Sequence, residues 1–250
     1  MVVLRSSLFA VGMWLALLLY LPLLPVAALM PERPRIWLLS RWGFAMVAWL
    51  ELSCGLRCEA EGLENIPKSN TIVLSKHQSA WETLYLQTIF RDPAWVLKRE
   101  LLWIPIFGWG LALTRPIGID RKAGRKAMQQ VLELGRRRLE AGRWVVIFPE
   151  GTRVAPGVHH PYNVGGAMLA AKTGYPVVPV AHNAGEYWPR RGFLKRPGII
   201  RLVIGPLIET KGRKAGDINA EVENWIESTM SRISAPEYRE RRKPEEGQGA

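Results

Sequence analysis

From about residue 63 onward, short runs rich in Val and Ile alternate with longer amphipathic stretches. Strands are expected at 71–75, 94–97, 116–119, 144–148, 177–181 and 199–204, and helices at 82–90, 106–113, 122–141, 164–172 and 217–233. The third helix carries the clearest period. Met128, Val131, Leu132, Gly135 and Leu139 form one stripe, with Arg125, Lys126, Arg136 and Arg137 lying mainly away from it. Alternation of this kind leaves few solutions. Strands joined through helices run parallel, the helices cover the sheet, and loops at the carboxyl ends of the strands line the ligand crevice. The expected fold class is α/β with a mostly parallel sheet, and chemistry is to be sought just after strands.

Two stretches qualify. The first is Lys76-His77-Gln78-Ser79-Ala80-Trp81-Glu82-Thr83, which follows an apolar β-rich run. Five residues on one helix turn the chain through roughly 500°, leaving His77 and Glu82 on different faces. On a strand the odd spacing sends them to opposite sides. They meet only if the chain bends between them, and Ser-x-x-Glu before Leu84-Tyr85-Leu86 is a capping-box signature with Ser79 as N-cap. Alone, such a glutamate is structural, its cap contributing about 1 kcal/mol, and a lone strand-end histidine is a surface or hydrogen-bonded residue. The second stretch is Phe148-Pro149-Glu150-Gly151-Thr152-Arg153. Gly151 permits close backbone approach, Thr152 offers a hydroxyl, and Arg153 offers a forked, permanent cation. By itself it reads as a turn with a solvent-facing arginine. Lys98 and Arg121 also follow expected strands; singly they are solvated charges, together an anion pocket beside His77.

The N-terminus is different in kind. Residues 8–30 are uncharged and mostly apolar, close to the ~20 needed to span a bilayer. A signal peptide is the competing reading, but this apolar core exceeds the ~7–15 residues usual for one, which favours an uncleaved anchor. A second apolar segment at 36–52 follows a basic turn, and Arg33, Arg35 and Arg41 would sit at phosphate level if it lies in the interface. The expected organisation is a membrane anchor of two apolar helices at 1–58, an α/β domain at 59–234 and a disordered polar tail at 235–250. The net charge of +12 calls for an anionic partner. No nucleic-acid motif accompanies it, and seven of the eleven Trp lie in apolar stretches, so membrane lipid is the expected partner and nucleic acid is not. Cys54 and Cys58 read as free thiols within one helix. No metal-ligand spacing is present, and His159, His160 and His182 read as surface or turn residues. There is no Gly-x-Ser-x-Gly elbow, and the Gly165-Gly166 segment lacks the glycine a phosphate loop places before its lysine.

Together these residues resemble the glycerolipid acyltransferase family typified by bacterial lysophosphatidic acid acyltransferase. The likeness runs from about residue 63 to 210 and rests on a His-x4-Asp-type motif at His77–Glu82, the Phe148–Arg153 block, an intermediate block from Arg115 to Arg121 and a Val-Pro-Val strand. It implies a membrane-bound O-acyltransferase with His77 and Glu82 catalytic, and with Lys98, Arg121, Glu150, Gly151, Thr152 and Arg153 binding substrate phosphate. It further implies a lysophospholipid acceptor, acyl-CoA or acyl carrier protein as donor, no cofactor or metal, and a bacterial inner membrane with the catalytic domain on the cytoplasmic side. Lysophosphatidic acid is the expected acceptor. The alternatives are another acceptor, such as lyso-ornithine lipid or glycerol 3-phosphate, or a non-catalytic lipid-binding protein on the same fold. The chain departs from the family twice: Glu82 stands where the family has Asp, and Arg115 and Gly118 stand where it has Gly and Phe.

Overall fold

The computed structural model describes residues 1–239. Three helices come first, α1 (Val2–Tyr20), α2 (Leu23–Leu29) and α3 (Glu32–Cys54). Pro22 and Pro31 stand at the caps of α2 and α3, since proline lacks an N–H and is tolerated at a helix's start. There follow β1 (Leu56–Glu61), β2 (Ile72–Ser75), α4 (Trp81–Ile89), β3 (Pro93–Lys98), α5 (Phe107–Leu113), β4 (Ile117–Ile119), α6 (Arg125–Glu140), β5 (Trp144–Ile147), α7 (Gly165–Thr173), β6 (Val177–His182), β7 (Gly198–Ile204) and α8 (Ala215–Ile233).

The strands form one sheet in the order β1-β7-β6-β2-β5-β3-β4. Every neighbouring pair is parallel except β6 and β7. Five strands, from β6 to β4, therefore end on the same edge. One face packs Val131, Leu139, Leu169, Ile218, Val222 and Ile226 of α6, α7 and α8 against the sheet. The other packs Trp81, Leu84 and Leu86 of α4 together with Phe9 of α1 and Met46 and Leu50 of α3.

Each expected strand and helix of the α/β part is present within a few residues. β1 was not expected. Its sequence, Leu-Arg-Cys-Glu-Ala-Glu, is mostly polar, and its side chains alternate between sheltered and exposed at the sheet's edge. Cys58 therefore lies on β1 rather than on a helix with Cys54, and both are free thiols.

The N-terminus also differs from expectation. Three helices replace two, and among the described residues only α1 is long and apolar enough to cross a membrane, with a mean hydropathy of 2.0. The α3 helix carries Glu32, Arg33, Arg35, Arg41 and Glu51, and Arg35 is buried rather than presented to lipid headgroups. The expected boundary at residue 58 falls inside β1, and the inner faces of α1 and α3 belong to the core. Of the expected polar tail, Pro236–Tyr238 form a 3-10 turn; residues 240–250 lie outside the described residues.

Arg143 ties this assembly together at the end of the sheet where β5 begins. Its guanidinium is 2.8 Å from Asp92 Oδ1 and 3.2 Å from Glu32 Oε1. It also donates to the carbonyls of Pro93 and Thr114, at 3.2 and 3.0 Å. Arg115 explains one departure from the family pattern. Its φ is +50°, a conformation that favours glycine. The strain is offset by an ion pair to Glu32 at 2.6 Å and by bonds from Arg138 and Arg143 to its carbonyl, at 3.1 and 3.3 Å.

Candidate active site

After β2 the extended chain sends successive side chains to opposite faces of the sheet. Lys76 points toward Glu227 of α8, and His77 toward Glu82 of α4. The bend between His77 and Glu82 keeps only the carboxylate half of the expected capping box, because the helix is capped at Ala80 rather than Ser79 and the Ser79 hydroxyl does not take the Glu82 N–H. Ser79 Oγ accepts the N–H of Trp81 at 3.2 Å, and the Glu82 carboxylate reaches back to the N–H of Ser79 at 2.9 and 3.1 Å. A second N–H, from Gln78, lies 3.0 Å from Glu82 Oε1. The same oxygen is 2.8 Å from His77 Nδ1. A carboxylate only accepts, so Nδ1 carries the proton and Nε2 presents its lone pair.

Burial works against the charge on Glu82, yet nearby His182, the bond from His77 and the Ser79 N–H outweigh it and hold its pKa below the ordinary glutamate value. His77 is also shifted down. Burial is the largest cause, Glu82 opposes it, and the guanidinium groups of Arg153 and Arg121 lower it further. At neutral pH the imidazole is uncharged, as a base must be. Its ring is stacked on Phe148 at 3.9 Å and 13°, and Phe148 in turn on Trp95 at 6.0 Å.

The loop after β5 meets this histidine from the neighbouring strand. Val154 N–H donates to the His77 carbonyl at 2.8 Å, and His77 N–H donates to Glu150 Oε2 at 2.7 Å. Gly151 adopts a φ of +69°, and a Cβ there would come within 3.0 Å of Asn163. Arg121, entering from the end of β4, donates to the Gly151 carbonyl, so these two expected phosphate-binding residues are brought together. Thr152 and Arg153 are partly exposed beside them, and Arg153 Nε is buried with no acceptor among the described residues. Lys98 is exposed at the end of β3.

Glu150 does not fit the phosphate-binding group. Its side chain is 0% exposed and pairs with Lys76 Nζ at 2.6 Å. Burial pushes its pKa up, with Lys76 opposing, to about 7. It lies beneath the loop and holds the backbone of His77.

Sequence reasoning missed four residues around this point: Lys76, Glu227, Tyr162 and His182. His182 is a correction. It is fully buried at the end of β6, with Nε2 2.9 Å from the Lys76 carbonyl and Nδ1 3.3 Å from the Ala184 N–H. Its place at the end of an expected strand was the available signal. His159 does lie near the surface, 2.8 Å from Glu223. Among the described residues no group of three or more His, Cys, Asp or Glu is placed to hold a metal ion.

The sequence profile of the Acyltransferase family matches residues 57–183. Over 218 residues the chain is 44% identical to the 1-acyl-sn-glycerol-3-phosphate acyltransferase of Pseudomonas aeruginosa, covering 86% of this chain and 85% of that protein. It is 29% identical over 181 residues to the 1-acyl-sn-glycerol-3-phosphate acyltransferase alpha of Mus musculus, covering 71% of this chain and 64% of that one. Its fold matches the crystal structure of the 1-acyl-sn-glycerophosphate (LPA) acyltransferase PlsC from Thermotoga maritima. The TM-score is 0.77 at 24% identity, over 94% of this chain and 98% of that one.

Proposed function

The chain belongs to the acyltransferase family, and on that premise we propose that it transfers a fatty acyl chain from acyl-CoA or acyl carrier protein to the free hydroxyl of lysophosphatidic acid, giving phosphatidic acid for phospholipid biosynthesis. The carrying observation is the buried His77–Glu82 pair, 2.8 Å apart, at a strand-end edge with Arg121 and Arg153 beside it. Nε2 of His77 takes the proton of the acceptor hydroxyl as its oxygen bonds to the thioester carbonyl carbon. The carbon–sulfur bond then breaks, and the leaving thiolate takes the proton from the imidazolium. Glu82 holds the ring and offsets the positive charge it bears in between, the role the aspartate plays in a Ser-His-Asp triad. The acceptor is itself the nucleophile, so no acyl-enzyme forms. Arg121, Arg153 and Lys98, with the Gly151–Thr152 backbone and hydroxyl, bind the acceptor phosphate.

A lipid acceptor requires a site at the membrane. The exposed apolar face of α1 and α2 includes Trp14, Leu18, Leu19 and Leu29, and Trp37, Trp103 and Trp109 are exposed beyond it. Indoles with one apolar and one wet end favour the interface. We propose accordingly that the N-terminal helices hold the enzyme on a bilayer, with the outer face of α1 in the membrane and α3 packed on the sheet; the catalytic domain on the cytoplasmic side of a bacterial inner membrane is part of the same proposal.

Purified protein given labelled acyl-CoA and a panel of lyso-lipids tests the reading. Acceptor-dependent thiol release with lysophosphatidic acid is expected, together with a loss of about 10²–10⁴-fold in His77→Ala. Near-normal turnover by that variant would sink the mechanism. Binding without thiol release would favour a lipid-binding protein, and faster turnover of lyso-ornithine lipid or glycerol 3-phosphate would reassign the acceptor.

A further inference from the structure

Behind the histidine, on the opposite face of the sheet, lies a polar cluster that the chemistry just described does not use. The Lys76 side chain is 2% exposed, and its ammonium sits 2.6 Å from Glu150 Oε1 and 2.8 Å from Glu227 Oε1. Tyr162 donates its hydroxyl to the same Glu227 oxygen at 2.9 Å. Glu227 belongs to α8, the last α-helix among the described residues, and Glu150 to the loop after β5. One ammonium therefore joins segments 74 and 151 residues away from it in sequence.

The cost of such a cluster makes its position informative. Charges taken out of water are compensated only by close, well-satisfied partners, and a packed apolar core serves stability equally well. Here the second oxygen of Glu150 is committed to the N–H of His77 at 2.7 Å. The backbone around Lys76 is fixed as well. Its N–H donates to Val180 at 2.9 Å, and its carbonyl receives His182 at 2.9 Å and Ser75 Oγ at 3.1 Å. The chain Glu227–Lys76–Glu150–His77 N–H thus leads from α8 to the backbone of the base, its middle link being an ion pair in which Glu150 Oε1 has no well-aligned hydrogen-bond donor.

We propose that Lys76 is a positioning residue for the reaction: clamped between Glu227 and Glu150, it fixes Glu150 so that Glu150 holds the His77 backbone, and with it the imidazole, in register with Glu82. Glu150 then acts on the base rather than on the substrate phosphate. The inference rests on the assignment of His77 as the base. Reacting groups must be held closely, and a misplacement of about 1 Å costs about 10²-fold in rate.

The test is a double-mutant cycle on the full chain in lipid–detergent micelles, with lysophosphatidic acid and acyl-CoA. Lys76→Met and Glu150→Ala are each expected to lower kcat about 10- to 100-fold with acceptor KM within about twofold. Because both act through one bond, the double variant should be no slower than the slower single variant. Amide hydrogen exchange at His77 should quicken about tenfold in both, a readout independent of any substrate. Multiplying effects in the double variant, an acceptor KM raised at unchanged kcat, or unchanged exchange at His77 would overturn the proposal. If Lys76→Met does not fold by circular dichroism, Glu227→Gln takes its place. That variant keeps the volume and an acceptor for Tyr162, and should lower kcat a few-fold at constant KM; wild-type kcat in it also overturns the proposal. A wild-type enzyme that fails to transfer acyl chains, or an active His77→Ala, would count against the assignment of the base, while the exchange measurement would still decide the role of Lys76.

Discussion

Glu82 and Glu150 are both fully buried carboxylates, and both hold His77, one by its ring and the other by its backbone. Their acidities are nevertheless driven apart. Glu82 lies below the ordinary value, whereas Glu150 is pushed up to about 7. Burial raises both. The difference is in what surrounds them: Glu82 faces the nearby His182, then His77 and the N–H groups of Gln78 and Ser79, while Glu150 has one N–H and an ammonium it must share with Glu227. Local surroundings decide which buried acid stays charged. The acid that must offset an imidazolium is the one surrounded by backbone N–H groups from its own helix start.

The comparison breaks most visibly at Glu82. Glu82→Gln keeps the shape but sets an amide against donors and releases the tautomer of His77; kcat should fall about 10³–10⁴-fold in steady-state assays, the scale of the corresponding change in a serine-protease triad. Retention of a tenth of the activity would mean that the charge is unimportant. Glu82→Asp keeps the charge and withdraws it by a methylene, and a drop of about 10- to 100-fold is expected on geometry alone. An unchanged rate would show that the backbone adjusts to either acid.

The next test concerns the base itself. Neutral His77 is the active form and its pKa is held down, so kcat/KM should stay level as pH falls to the ordinary histidine value of about 6.5 and decline only below it. Removing a cation relaxes that depression. In Arg153→Gln the acid limb should therefore move to higher pH, alongside a weaker acceptor KM, and a limb that moves down would contradict the electrostatic reading. The smallest effect is one on stability, through the titration of Glu150. Its folded-state pKa is raised, so its contribution to stability is full below the ordinary glutamate value and is lost as pH rises toward about 7. Melting temperatures across that window should fall more steeply with pH in the wild type than in Glu150→Gln.

Much of this was legible in the sequence because the signals were local. The alternation of apolar runs placed the strand ends, and Ser79 and Glu82 announced the bend by their spacing. The polar cluster was not legible. Lys76 and Glu227 are 151 residues apart and meet only because α8 packs on β6, the strand beside β2. Glu150 sat in a block where Gly151, Thr152 and Arg153 are partly exposed, and nothing in those neighbours distinguishes an inward carboxylate. The polar edge strand β1 escaped for a related reason, since an edge needs no continuous apolar run.

The stacking of Phe148 on His77, at 3.9 Å and 13°, has a stereochemical consequence. A ring covered that closely on one side can be approached only from its other side or along its edge. The lone pair of Nε2 lies in the ring plane, so the hydroxyl that surrenders its proton must arrive edge-on. The base is therefore one-sided: both substrates have to assemble in a single half-space, and an imidazole braced by a phenyl ring and a carboxylate cannot swing to follow a hydroxyl that arrives elsewhere. Selectivity for one hydroxyl over its neighbour on a glycerol backbone can follow from that restriction of direction alone.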